Sequence, residues 1–193
     1  MTPAQKVLAI LGSDPVAKMK PFTFEGVRYE PASNLWDVSL YIWGGSIQVK
    51  EKTGMKAGAW YLGATDTMLI PPITNEPTTQ ALVIHESVHA WQDIMRLAPA
   101  LSEDSEGPAY IIQMMYLSQL VASGKRLTSK NPDTDWVFEE AWGVAEMIMH
   151  GGTPGRLDYV ELQTAISSIR KYLGVKDTDG VPFPMVFLYG ALW

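Results

Sequence analysis

The rhythm of apolar and polar positions changes near residue 78. Before it, short apolar runs alternate with turn residues, at Gly12-Ser13-Asp14-Pro15 and Pro31-Ala32-Ser33-Asn34. Within this part residues 24–29 read as a strand. So do residues 38–49, interrupted by Gly44-Gly45. Residues 57–62 and 67–70 flank the turn-like Gly63-Ala64-Thr65-Asp66 and predict a hairpin, which Pro71-Pro72 closes. The start differs: Thr2 and Pro3 form an N-cap and first-position pair that predicts an amphipathic helix.

After residue 78 the period becomes helical. Residues 79–97 carry apolar side chains at 82, 83, 84, 88, 91, 94, 95 and 97, with Pro77 ahead of the run and Pro99 beyond it. A second helix is expected over 106–123, closed by Gly124. A third lies between Asn131-Pro132 and Gly151-Gly152, and a fourth runs from Thr153-Pro154 to Gly174. The tail, 181–193, is strongly apolar and reads equally as strand or short helix. Strands first and helices later point to an α+β fold. The expected organisation is one domain over 1–193, sheet-rich over 20–72 and helical over 78–174.

Composition narrows the possible chemistry. The chain has 193 residues, 47% hydrophobic and 19% charged, which suits a folded soluble domain and not a disordered one. Its net charge is −6 and no basic run could track a phosphate backbone, so nucleic acid is not an expected partner. Nor is a membrane, because no apolar stretch approaches the roughly 18 residues of a span. The apolar start is too short and too lightly charged for a signal peptide, and localisation is otherwise open. With no cysteine, any metal must be held by His, Asp or Glu.

One motif meets that requirement. His85-Glu86-Ser87-Val88-His89 places two imidazoles four residues apart on the helix expected over 79–97. At that spacing both project from one face, one turn apart, and suit two corners of a tetrahedral zinc site. Glu86 is placed to take a proton from water polarised by the ion. These are two of only three histidines in the chain. The third, His150, stands at a helix end beside Gly151-Gly152 and reads as a cap or surface residue.

A third protein ligand should then be a carboxylate. Gln92 and Met95 occupy positions where a metzincin would carry glycine and histidine, which excludes that class. Two candidates sit on apolar helix faces, where an unpartnered carboxylate is costly. Glu106 is in line with Tyr110, Met114, Leu117 and Val121. Glu140 lies among Trp136, Ala141, Val144 and Ile148, while Glu139 points with Gly143 and Glu146 to a solvated face. Spacing alone leaves Glu106 and Glu140 both open.

The run Val83-Ile84-His85-Glu86-Ser87-Val88-His89-Ala90-Trp91-Gln92-Asp93, followed by Glu106-Gly107-Pro108-Ala109-Tyr110, resembles small bacterial gluzincin-type metallopeptidase domains. The likeness covers about residues 57–124. It implies a zincin-like fold, with His85, His89 and Glu106 as zinc ligands, Glu86 as general base and Asp93 orienting the His89 ring. Gly107-Pro108 departs from the pattern, since such helices usually carry plain helix formers there.

The remaining features are weaker. Asp177-Thr178-Asp179-Gly180 has a misplaced glycine for a calcium loop and reads as a turn. Trp60, Trp91, Trp136 and Trp142 read as core. Tyr110, Tyr116, Tyr159 and Tyr189 are candidate oxyanion donors among which sequence does not choose. The functional expectation is a zinc metallopeptidase acting on a peptide or protein substrate, with the strand 67–70 or its partner 57–62 pairing to extended peptide. The competing expectation is a catalytically silent zincin-like binding module.

Overall fold

A computed structural model describes residues 1–53, 58–97, 102–121 and 132–172. The first helix, α1 (Pro3–Leu11), is set by a capping box. Thr2 Oγ1 accepts from the Gln5 N–H at 3.2 Å, and Gln5 Oε1 accepts from the Thr2 N–H at 2.8 Å. A short helix, α2 (Asp14–Ala17), follows. The single strand expected over 24–29 is two strands, β1 (Phe22–Phe24) and β2 (Val27–Tyr29), paired antiparallel. Glu25 and Gly26, with φ of 45° and 79°, make the tight turn between them.

The strand expected over 38–49 is mostly helix, and the sheet-rich region is correspondingly smaller than expected. Helix α3 (Pro31–Trp43) opens on Pro31, and Asn34 Oδ1 accepts from the N–H of Glu30 at 2.7 Å. Its core face, Pro31, Leu35, Val38 and Ile42, keeps helical spacing. That period is hidden in the sequence because Trp36, Leu40 and Trp43 stay exposed on the outward side. Only the end of the expected strand survives, as β3 (Gln48–Glu51).

The expected hairpin is present as β4 (Trp60–Leu62) and β5 (Thr67–Ile70), joined by a 3₁₀ turn over Gly63–Thr65. Its place in the sheet was not foreseen. β5 also pairs in parallel with β3, Gln48 opposite Thr67 and Glu51 opposite Ile70, so the order is β3-β5-β4. With neighbours on both sides, β5 has no edge to offer a peptide. β4 is the edge strand on that side of the sheet.

Four long helices follow: α4 (Pro77–Ile94), α5 (Ser102–Leu120), α6 (Pro132–Met149) and α7 (Arg156–Tyr172). α4 is the axis of the molecule, packed against α5 on one flank and against α3, α1 and β4 on others. Every residue from 81 to 88 is buried, which accounts for an apolar run broader than one stripe. α6 lies where expected. α7 begins at Arg156, two residues beyond Thr153-Pro154, with the Gly155 N–H donating to Asp158 Oδ2 at 2.6 Å.

α5 begins earlier than expected, at Ser102, so Glu106 lies in its second turn. Glu103 and Asp104 in the first turn favour that start by opposing the helix dipole. Gly107, unusual inside a helix, has a packing reason. A Cβ there would lie 2.5 Å from Cζ of Phe24, so only glycine lets β1 close onto α5. The expected tail 181–193, with Gly124, Asn131, Gly174 and the turn at 177–180, lies outside the described residues. Among the described residues no helix is long and apolar enough to cross a membrane.

Candidate metal centre

His85 and His89 leave α4 on the side that meets α5, and Glu106 reaches them from α5. His85 Nε2 and His89 Nε2 are 3.1 Å apart. Glu106 Oε2 lies 3.2 Å from His85 Nε2, and Glu106 Oε1 3.6 Å from His89 Nε2. With zinc–ligand bonds of about 2.0–2.1 Å, the edge of a tetrahedral ligand set is roughly 3.3 Å. The two separations from His85 Nε2, to His89 Nε2 and to Glu106 Oε2, lie close to that value, and taking one ligand atom from each residue all three lie within 4.8 Å of one another. Among the described residues this is the one cluster of His or carboxylate side chains with the closeness needed to hold an ion.

The far side of each ring is held by an amide. His85 Nδ1 lies 2.9 Å from Gln113 Oε1, and His89 Nδ1 lies 3.1 Å from Gln92 Oε1. The Gln92 orientation is fixed independently. Its Nε2 donates to the Ser105 carbonyl at 3.0 Å and to the Tyr29 hydroxyl at 3.3 Å, so Oε1 must face His89. Ser105 Oγ donates to the same Oε1 at 2.8 Å and sits 3.2 Å from His89 Nδ1. An Nδ1–H donated outward on each ring turns the Nε2 lone pair inward, towards Glu106.

Three of these residues escaped the sequence reading. Gln113 is seven residues after Glu106, two turns along the same face, and is a lone amide within an apolar run. Gln92 stands one turn after His89, and Ser105 immediately precedes Glu106. Asp93, expected to orient His89, does not touch it. Its Oδ2 accepts from the Tyr61 hydroxyl at 2.9 Å. A position three residues from a histidine was the right place to look, and four residues fell on the wrong side of this helix. Gln92→Leu and Gln113→Leu are each expected to weaken zinc binding by about 10–100-fold, whereas Asp93→Ala leaves it within twofold. Competition against a fluorescent chelator measures this. Equal losses for all three would reduce the effect to general destabilisation.

The alternative carboxylate is not at the cluster. Glu140 accepts from the Trp136 indole N–H at 3.0 Å on the outer side of α6. The buried stripe of that helix is Val137, Ala141, Val144 and Ile148, one position away from the register that contains Trp136 and Glu140. Trp136 is exposed, unlike the buried Trp91 and Trp142. His150 behaves as expected, its Nδ1 lying 2.8 Å from the Glu146 carbonyl at the end of α6. Of the tyrosines considered, Tyr110 packs edge-on against the His85 ring at 4.8 Å. Tyr116 donates to Gln80 at 2.7 Å, and Tyr159 packs on Phe24.

Glu86 is buried beside the cluster, with Oε2 accepting from the Tyr61 N–H of β4 at 2.7 Å. Burial and the Glu106 carboxylate push it up to about 8, against the pull of His89 and the Tyr61 N–H. Burial lowers His85 despite Glu106. Burial also opposes charge on His89, but the Glu106 and Glu86 carboxylates prevail and raise it to about 9. Burial would raise Glu106, yet the two imidazoles hold it well below the usual carboxylate range.

These shifts give a signed pH dependence. His89 is raised, so the stability its protonation contributes is full below its ordinary value near 6.5 and is lost as pH rises through about 9. A cation using His89 Nε2 must displace that proton. At pH 7, zinc uptake is expected to release at least one proton per ion, and affinity should rise about tenfold per pH unit up to about 9. Calorimetry in buffers of different ionisation enthalpy reads the release. Affinity that stays flat between pH 6 and 8 would remove His89 from the ligand set.

Comparison of the chain with protein-family models, with curated proteins and with solved structures finds no match.

Proposed function

We propose that this chain is a zinc-dependent peptidase with a zincin-like arrangement of the gluzincin type, in which His85, His89 and Glu106 hold the ion. The observation that carries the reading is the convergence of His85 Nε2, His89 Nε2 and a Glu106 carboxylate at tetrahedral spacing, next to a buried Glu86. A zinc ion held there would polarise the scissile carbonyl and make water more acidic. The chain supplies the rest. Glu86 accepts the proton of the attacking water and can return it to the departing amine. The bond from the Tyr61 N–H favours its ionised form and fixes one carboxylate oxygen, leaving the other for proton transfer. Gln92, Ser105 and Gln113 keep the imidazoles oriented.

A second reading has an observation of its own. The side chains of His85, Glu106 and His89 are only 2%, 13% and 18% exposed, and the Tyr61 N–H on the free side of β4 is already taken by Glu86. That favours a zincin-like binding module in which the ion, if bound, is structural. One experiment separates the two. Protein purified without chelators is analysed for metal and incubated with a mixed peptide library, with and without chelator. About one zinc per chain and chelator-sensitive cleavage support the peptidase. Zinc without cleavage supports a binding module with a structural ion, and no zinc even after its addition overturns the peptidase and leaves a metal-free module.

A further inference from the structure

Tyr61 is bonded to α4 at both of its ends. Its backbone N–H donates to Glu86 Oε2 at 2.7 Å, and its phenol donates to Asp93 Oδ2 at 2.9 Å. Glu86 and Asp93 are seven residues apart, so they lie on one face of α4, two turns and about 10.5 Å along its axis. The tyrosine therefore spans the two turns as a strut. Its backbone belongs to β4, which pairs Trp60 with Leu69 and Leu62 with Thr67, leaving the Tyr61 N–H on the side away from β5. That N–H is directed at Glu86 instead of the sheet ladder.

The surroundings of Asp93 support an anchoring role. Gly63 packs directly on its carboxylate, where a Cβ would lie 3.3 Å from Oδ2. Asp66 Oδ1 also lies 3.1 Å from the Tyr61 hydroxyl. The phenol has one proton, so only one carboxylate can receive it at a time. The two acceptors are not equivalent. Asp66 belongs to the same loop as β4 and moves with the strand, whereas Asp93 belongs to α4. Of the two phenol contacts, only that with Asp93 ties strand to helix.

We infer that Tyr61 is the positioning residue for Glu86, its phenol–Asp93 bond holding its peptide N–H against the carboxylate that serves as base. This rests on the peptidase reading for its catalytic meaning, but the geometry can be tested without activity. The readout is hydrogen exchange of the Tyr61 amide, followed by NMR on the full chain with chelator present. Tyr61→Phe keeps the ring and removes the anchor; Asp93→Ala removes the acceptor; Asp93→Asn retains one. Asp66→Gly deletes the second carboxylate at a position whose φ of 44° suits glycine.

The expected result is that the amide at position 61 exchanges about tenfold faster in Tyr61→Phe and Asp93→Ala, while amides of β5 keep their wild-type rates. Asp93→Asn and Asp66→Gly stay within about threefold of wild type. Zinc affinity is unchanged in all four. With a cleaved peptide in hand, Tyr61→Phe lowers kcat about tenfold at constant KM, and Asp93→Asn restores the rate lost in Asp93→Ala. Wild-type exchange in Tyr61→Phe, or equal acceleration in Asp66→Gly and Asp93→Ala, overturns the inference. An inactive wild-type protein with the expected exchange pattern overturns the peptidase reading instead and leaves the strut in place.

Discussion

Replacing Glu86 by glutamine is expected to slow peptide hydrolysis by about 10²–10⁴-fold without loss of zinc or fold, as measured by steady-state kinetics alongside metal analysis. The amide is nearly isosteric with the carboxyl group, and its Oε1 can still accept the Tyr61 N–H that Glu86 accepts at 2.7 Å. What it cannot do is take a proton. The substitution also removes a buried ionisable group held near 8, and with it the cost of ionising a carboxyl in an apolar setting. Thermal stability at neutral pH is therefore expected to hold or rise. That pairing of lost rate with retained stability distinguishes a base from a structural carboxylate. A variant that cleaves as fast as wild type would dismiss Glu86 from the chemistry.

The second large effect concerns the ligands. His85→Ala and Glu106→Ala are each expected to abolish stoichiometric zinc at micromolar concentrations, whereas Glu140→Ala should bind as wild type does. His85 is buried and contacts both His89 and Glu106, so its loss removes a donor and leaves Glu106 poorly compensated. Glu140 touches Trp136 on the outer side of α6, and its removal costs one exposed hydrogen bond. Equilibrium dialysis of the three variants reads this directly. Zinc retained by Glu106→Ala and lost from Glu140→Ala would reverse the ligand assignment.

The helical half of the chain was legible because its signals are local. A spacing of four positions fixes the shared face of the two histidines whatever surrounds the helix, and Pro77, Pro132 and the glycines beyond Met149 mark boundaries that tertiary packing does not move. The errors lie where long-range packing overrides local preference. α3 carries strand-forming residues, yet its core face follows a helical period that its exposed tryptophans obscure. β5 looked like an edge because its parallel partner β3 is separated from it by intervening chain. Gly107 stood out from the pattern of helix formers without an evident reason, because nothing near it in sequence announces the Phe24 ring. Glu140 shows how narrow the margin is. One position of helical register decides whether a carboxylate faces the core or the solvent.

The amide brackets have a kinetic corollary. α4 and α5 are joined at the cluster by Gln92 with Ser105, by His85 with Gln113, and by both histidines with Glu106. These contacts share one interface, so parting the two helices breaks them together. On the binding-module reading, an ion seated between the helices, where the His85 side chain is 2% exposed, would exchange with bulk only when that interface opens. Its dwell time would then follow the opening rate of a helix pair and not the lability of the individual bonds. Such a protein would fill slowly, hold its ion through brief exposure to chelators, and resist heat inactivation on the clock of that same opening.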